Sequence, residues 1–176
     1  MTEQQIIEAC KQNDRKAQNL LYQKYAPKFF GVCRRYIKNE RDAEDVLING
    51  FFKVFSKMEQ YSGQGNFEGW MRRIMVTESL MFLRKYNMNL SYEMKEEDAV
   101  FDKAPDDSLL ESDVMKLLDY LPVGYRTIFN LFAIEGYTHK EIGERLSISI
   151  NTSKSQLIKA RKKLKELLIQ HQYNVA

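Results

Sequence analysis

The stretch Gly136-Tyr137-Thr138-His139-Lys140-Glu141-Ile142-Gly143-Glu144-Arg145-Leu146 decides the fold. Thr138 is followed three residues later by Glu141, the spacing of a capping box, in which each side chain satisfies an orphan backbone N–H at a helix start. A helix therefore starts there and ends near Ser147. Ser149 is placed to cap a second helix, predicted from about Ile150 to Leu168. Two helices joined by so short a turn have the outline of a helix-turn-helix, whose second member reads DNA.

On a helical wheel Leu157, Ala160, Leu164 and Leu168 share one face with Ser153, while Ser155, Ile158, Lys159 and Lys162 lie opposite and Gln156 sits at the margin. Hydroxyls and amides reach base edges, and cations reach phosphates. A helical pair buried in a core is the plainer reading of such a pattern. Against it stands Lys159-Ala160-Arg161-Lys162-Lys163-Leu164-Lys165, with five cations in seven residues.

Upstream, Leu117, Leu118, Leu121 and then Ile128, Phe129, Phe132 form two short helical stripes separated by Pro122 and Gly124. Farther back, the stretch from Ser91 to Ser108 contains Pro105 and lacks sustained helical spacing, so it reads as a linker. Charge supports the division. Residues 1–89 carry 15 Lys and Arg against 10 Asp and Glu, residues 90–113 carry 2 against 9, and residues 114–176 carry 10 against 5. The expected architecture is all-α: a helical domain over 1–89, an acidic linker over 90–113 and a smaller helix-turn-helix domain over 114–176.

Within the first domain, Ala43, Val46, Leu47, Gly50, Phe51, Val54 and Met58 follow the progression of a core-facing helical stripe. On the far side of that helix Ile48 and Phe52 sit one turn apart, near Asp45 and Asn49. Either another helix or a partner covers this second apolar spot. A further helix starts near Asn66 or Phe67, after the glycine-marked loop at Gly63 and Gly65, and runs through Trp70, Ile74, Thr77 and Met81. Here Arg72, Arg73, Arg84 and Lys85 share a segment with Tyr61, Phe67, Trp70, Phe82 and Tyr86. Cations that track a backbone and rings that stack bases are what a groove for single-stranded nucleic acid requires. Burial of Trp70 in the core is the competing reading.

Composition excludes several classes. With 44% hydrophobic and 29% charged residues the chain matches an ordinary globular protein. Its first residues lack the basic-then-apolar order of a secretory signal, and no apolar run approaches the roughly 18 residues of a membrane helix, so a cytoplasmic protein without membrane insertion is expected. Cys10 and Cys33 form no Cys-x-x-Cys pair and have only His139 and His171 as imidazole company. They read as reduced thiols, with no metal site and no cofactor expected. No nucleophile–base pair or phosphate-cradling glycine loop suggests an enzyme.

Four segments in series resemble a family, the sigma factors of bacterial RNA polymerase, in the small extracytoplasmic-function group. Asp42-Ala43-Glu44-Asp45 followed by Phe51 is similar to the polymerase-binding segment, and Phe67-Glu68-Gly69-Trp70-Met71-Arg72-Arg73-Ile74 to the promoter-melting segment. Tyr137 to Gly143 and Asn151 to Ser155, with Ala160-Arg161 beyond, resemble the second domain's helix-turn-helix. The resemblance implies core polymerase and promoter DNA, duplex and melted, as partners. It leaves open an anti-sigma factor.

On this basis Asp42, Asp45, Ile48, Asn49 and Phe52 are expected to bind polymerase. Tyr61, Phe67, Trp70, Arg72, Arg73, Thr77, Arg84 and Lys85 are expected on the minus-ten strand, and Thr152, Lys154, Ser155, Gln156, Ile158, Lys159, Arg161 and Lys162 on the minus-thirty-five duplex. The chain departs from the common family pattern at Ile48, Asn49, Thr77, Met81 and Gln156. At Gln156 the usual Arg is replaced, which implies adenine rather than guanine at the base it reads. In sigma factors of this kind the connector threads the polymerase's RNA channel, so Glu96, Glu97, Asp98, Asp102, Asp106 and Asp107 are expected to imitate a nucleic-acid backbone; a self-repelling spacer is the other reading. The rival for the whole chain is a conventional helix-turn-helix regulator that binds duplex DNA without polymerase.

Overall fold

The computed structural model describes residues 1–85 and 111–173. The acidic stretch with Glu96, Glu97, Asp98, Asp102, Asp106 and Asp107, together with Tyr86, lies outside the described residues. Two compact units divide the chain, Met1–Tyr86 and Asn87–Ala176. The described residues are helical and contain no strand.

Unit 1 holds α1 (Glu3–Lys11), α2 (Arg15–Tyr36), α3 (Glu40–Ser56) and α4 (Phe67–Lys85). Each of the first three begins at a side-chain cap. Thr2 and Gln5 form a reciprocal capping box on α1. Asp14 accepts from the N–H groups of Lys16 and Ala17 on α2, and Asn39 accepts from Asp42 N–H on α3. Asn13, at φ 59°, makes the left-handed turn that ends α1.

The predicted stripe of α3 is its buried side, with Ala43, Val46, Leu47, Gly50, Phe51 and Val54 all in the core. Met58 is also buried, in a short 3₁₀ turn over Met58–Gln60. A Cβ at Gly50 would stand 2.2 Å from Met75 Sδ, so the glycine leaves the space that the Met75 thioether fills between α3 and α4. Lys53 Nζ reaches Glu78 at 2.6 Å across the same pair. At the opposite end, Glu3 accepts from Lys24 Nζ at 2.6 Å and from the Tyr25 hydroxyl, tying α1 to α2. Lys24 and then Tyr25 hold the Glu3 carboxyl below the usual range.

Both cysteines are buried and free. Burial pushes each thiol up to about 11, so neither is a ready nucleophile.

Unit 2 holds α5 (Glu111–Asp119), α6 (Val123–Phe129), α7 (His139–Leu146) and α8 (Ile150–Tyr173). Pro122 ends one stripe and caps the next, but Gly124 lies buried inside α6 rather than in a break. The end of α6 widens into a π turn over Asn130–Ile134, closed by Glu135 N–H to Asn130 O at 2.9 Å. Gly136, at φ 78°, then reverses the chain toward α7. Arg126, 2% exposed, meets the half-buried Asp119 at 3.2 Å.

Candidate nucleic-acid interface

The helix-turn-helix is built as its caps predict. Thr138 N–H donates to Glu141 Oε2 at 2.8 Å, and Glu141 N–H to Thr138 Oγ1 at 3.3 Å. The Thr138 N–H bond first, and the Thr138 hydroxyl, which donates to Glu141 Oε2 at 2.8 Å, second, hold the Glu141 carboxyl below its ordinary value. Ser147 takes the left-handed conformation at φ 58°, Ile148 N–H returns to Gly143 O at 3.0 Å, and Ser149 Oγ caps α8 through Thr152 N–H at 2.9 Å. Gly143 permits the turn, because a Cβ there would lie 2.8 Å from Ile148 O. Behind it, His139 Nδ1 and Ser153 Oγ stand 2.9 Å apart, and the His139 ring stacks on Phe132 at 4.5 Å. Burial, then Lys154 and Arg161, depresses the His139 pKa.

On α8 the buried side is Ser153, Gln156, Leu157, Ala160 and Leu167. Lys154, Ser155, Ile158, Lys159, Arg161 and Lys162 are exposed, and Thr152 is half-buried. Two expectations are corrected. Gln156 is 4% exposed, so it belongs to the interior and cannot read an adenine edge from there. On the wheel it lies about 40° beyond Ala160 and about 20° from the buried Leu167, at the margin of the side that packs on the other helices of unit 2. Leu168 is exposed, because Leu167, one step of about 100° away, takes the core position. Asn151, exposed in the first turn and in line with Ser155 and Ile158, was passed over. The same wheel, extended one turn toward the cap, would have found it.

In unit 1 the aromatic segment is mostly interior. Tyr61 and Phe67 are buried, with rings 4.9 Å apart, and the Tyr61 hydroxyl donates to Gly65 O at 2.9 Å. That corrects their assignment as base-stacking rings: they form the floor on which Trp70, half-exposed, packs at 5.5 Å and 5.7 Å. Arg73, Thr77 and Arg84 are exposed within about 40° of one face of α4, one turn beyond Trp70. The Thr77 hydroxyl donates to Arg73 O at 2.8 Å, which leaves it an acceptor. Arg72, half-buried, and Lys85, exposed, lie about 100° or more to either side of that face. Phe82 is half-buried.

The α3 surface is the other exposed candidate. Asp45, Ile48, Asn49 and Phe52 are exposed and Asp42 is half-buried, all within about 120° of one face. Ile48 is 56% and Phe52 73% exposed, so no other described helix of unit 1 covers them.

Residues 21–88 match the family model of sigma-70 region 2, and residues 112–164 that of sigma-70 region 4. The sigma factor SigV of Bacillus subtilis is 30% identical over 135 residues, which are 76% of this chain and 80% of that protein. The chain belongs to the sigma-70 family. Within it, the chain falls in the extracytoplasmic-function group: such a sigma factor of Mycolicibacterium smegmatis, SigE, is 30% identical over 166 residues. That match covers 89% of this chain, and the chain spans 63% of that relative's length. Among solved structures, the Bartonella quintana sigma factor RpoE, in complex with the anti-sigma factor NepR, superposes with a TM-score of 0.54 at 22% identity, over 85% of this chain and 95% of that one. This sigma factor directs RNA polymerase to promoters. No helix among the described residues is long and apolar enough to cross a membrane.

Proposed function

We propose that the sigma factor divides promoter recognition between its units: α8 lies in the major groove of the minus-thirty-five duplex, while unit 1 binds core polymerase and the melted minus-ten strand. The observation that carries this reading is the two-sidedness of α8, with an apolar side packed on its own unit and a side of exposed cations and short polar groups. On α4, Trp70 with Arg73, Thr77 and Arg84 offers one ring, one acceptor and two cations to a single strand. On α3, Ile48 and Phe52 offer polymerase an apolar contact rimmed by Asp45 and Asn49. Residues 1–89 and 114–176 act as the two binding domains, and 90–113 as their acidic connector. Catalysis belongs to the polymerase, and the protein works in the cytoplasm where polymerase is. The likeness to a chain solved with an anti-sigma factor supports such a factor as a further partner.

The test is transcription in vitro with core polymerase on a library of promoter fragments. Addition of the protein selects a discrete promoter set; transcription unchanged by its addition contradicts the reading.

A further inference from the structure

The exposed side of α8 is not uniformly basic. Taking 100° per residue, Asn151, Ser155 and Ile158 fall within about 60° of one another, with Lys162 continuing the line one turn later. Lys154 and Arg161 flank this stripe on one side and Lys159 on the other. All seven positions are exposed. The uncharged part of this line, from Asn151 to Ile158, between two cationic margins matches a major groove, where base edges lie between two phosphate walls. From Asn151 to Ile158 the stripe runs about 10 Å, the length of about three base pairs.

Each member of the stripe has restricted chemistry. Ser155 Oγ donates to Thr152 O at 3.0 Å, which leaves it lone pairs for a base donor. Asn151 presents an amide that both donates and accepts. Ile158 can make neither bond. It is 67% exposed, the most exposed large apolar side chain among the described residues of unit 2, and Lys154, Lys159, Arg161 and Lys162 surround it. A protein-docking spot would be poorly served by an isolated apolar group ringed by cations. A major groove supplies one apolar feature of matching size, the C5-methyl group of thymine.

We propose that Ile158 is a specificity-determining residue of the minus-thirty-five contact, packing on the C5-methyl group of one thymine, beside the bases met by Asn151 and Ser155. This rests on the reading of α8 as the minus-thirty-five helix. Thymine is thereby selected over cytosine and over uracil without any hydrogen bond from this side chain.

The experiment uses holoenzyme assembled from core polymerase and the full chain, on a promoter taken from the fragment library. Each thymine of the minus-thirty-five duplex, on either strand, is replaced in turn by deoxyuridine, which removes only the methyl group. At one position the wild-type holoenzyme binds about fourfold more weakly, as expected for a methyl-sized apolar contact. Ile158→Ala holoenzyme binds the unmodified duplex with a similar loss and is indifferent to deoxyuridine at that position. The proposal is overturned if no thymine is sensitive, if the element contains no A·T pair, or if the sensitive thymine stays sensitive in Ile158→Ala. A library that yields no promoter at all refutes the underlying reading instead, and the proposal falls with it.

Discussion

The α4 segment and the α8 segment look alike in sequence, since both mix cations with side chains able to meet bases, yet the fold treats them differently. In unit 1, Tyr61 and Phe67 turn inward and leave Trp70 half-exposed above them. In unit 2, the cations of α8 stay outside and an amide, Gln156, turns inward. The difference teaches that a cation–aromatic composition marks a region but does not choose its members. Rings carry enough apolar area to be drawn into a core, whereas Lys and Arg keep their heads in water.

The largest effect that can break this comparison is Phe67→Ala. Loss of a buried ring from the Tyr61–Trp70 cluster should lower the stability of unit 1 by about 3–5 kcal/mol in chemical denaturation. Trp70→Ala should cost less stability and show its loss in promoter opening. Equal stability in wild type and Phe67→Ala would return Phe67 to the surface set.

Next comes Gln156→Arg. A guanidinium forced into this interior position should destabilise unit 2 by about 2–3 kcal/mol, measured by thermal melting. The ranking of promoters should stay as it is. A stable variant with a shifted preference toward guanine would show that Gln156 faces the groove after all.

Phe52→Asp sharpens the contrast from the other direction, because its ring is exposed where Phe67 is buried. The substitution should weaken core-polymerase binding by about 2 kcal/mol. The circular dichroism of the free protein should not change, and stability should move by less than about 0.5 kcal/mol. Unfolding would place Phe52 in a core.

The smallest expected effect is a pH dependence in unit 2. Burial first, and the nearby Lys154 and Arg161 second, depress the His139 pKa below its ordinary value of 6.5. The folded unit thus prefers the neutral ring, and the unfolded chain binds the extra proton between the depressed value and 6.5. Stability contributed by His139 is present above pH 6.5 and declines as pH falls below it. Melting of wild type and His139→Gln from pH 7.5 to 5 checks this. Parallel curves would remove the contribution.

Local chemistry explains what was legible. The capping box at Thr138 and Glu141, the cap at Ser149 and the buried stripe of α3 each follow from spacing within one helix, and each is formed. Features that depend on a second element were not legible. The burial of Gln156 depends on the other helices of unit 2 that pack on α8, and the Arg126–Asp119 pair joins α6 to the end of α5. The π turn over Asn130–Ile134 has no spacing signal of its own. For the candidate site, α8's exposed cations were readable from the wheel, while the sorting of rings near Trp70 required the loop from Tyr61 to Gly65 to be in place.

The most direct test of the central claim is binding and opening of one promoter duplex by the protein alone and with core polymerase, with permanganate reactivity reporting unpaired thymines near minus ten. A sigma factor that recognises promoters through the two surfaces described here predicts sequence-selective binding and reactive thymines only when core polymerase is present. Equally tight and selective binding by the free chain, with no thymines exposed on adding polymerase, would contradict the account and favour a conventional duplex-binding regulator.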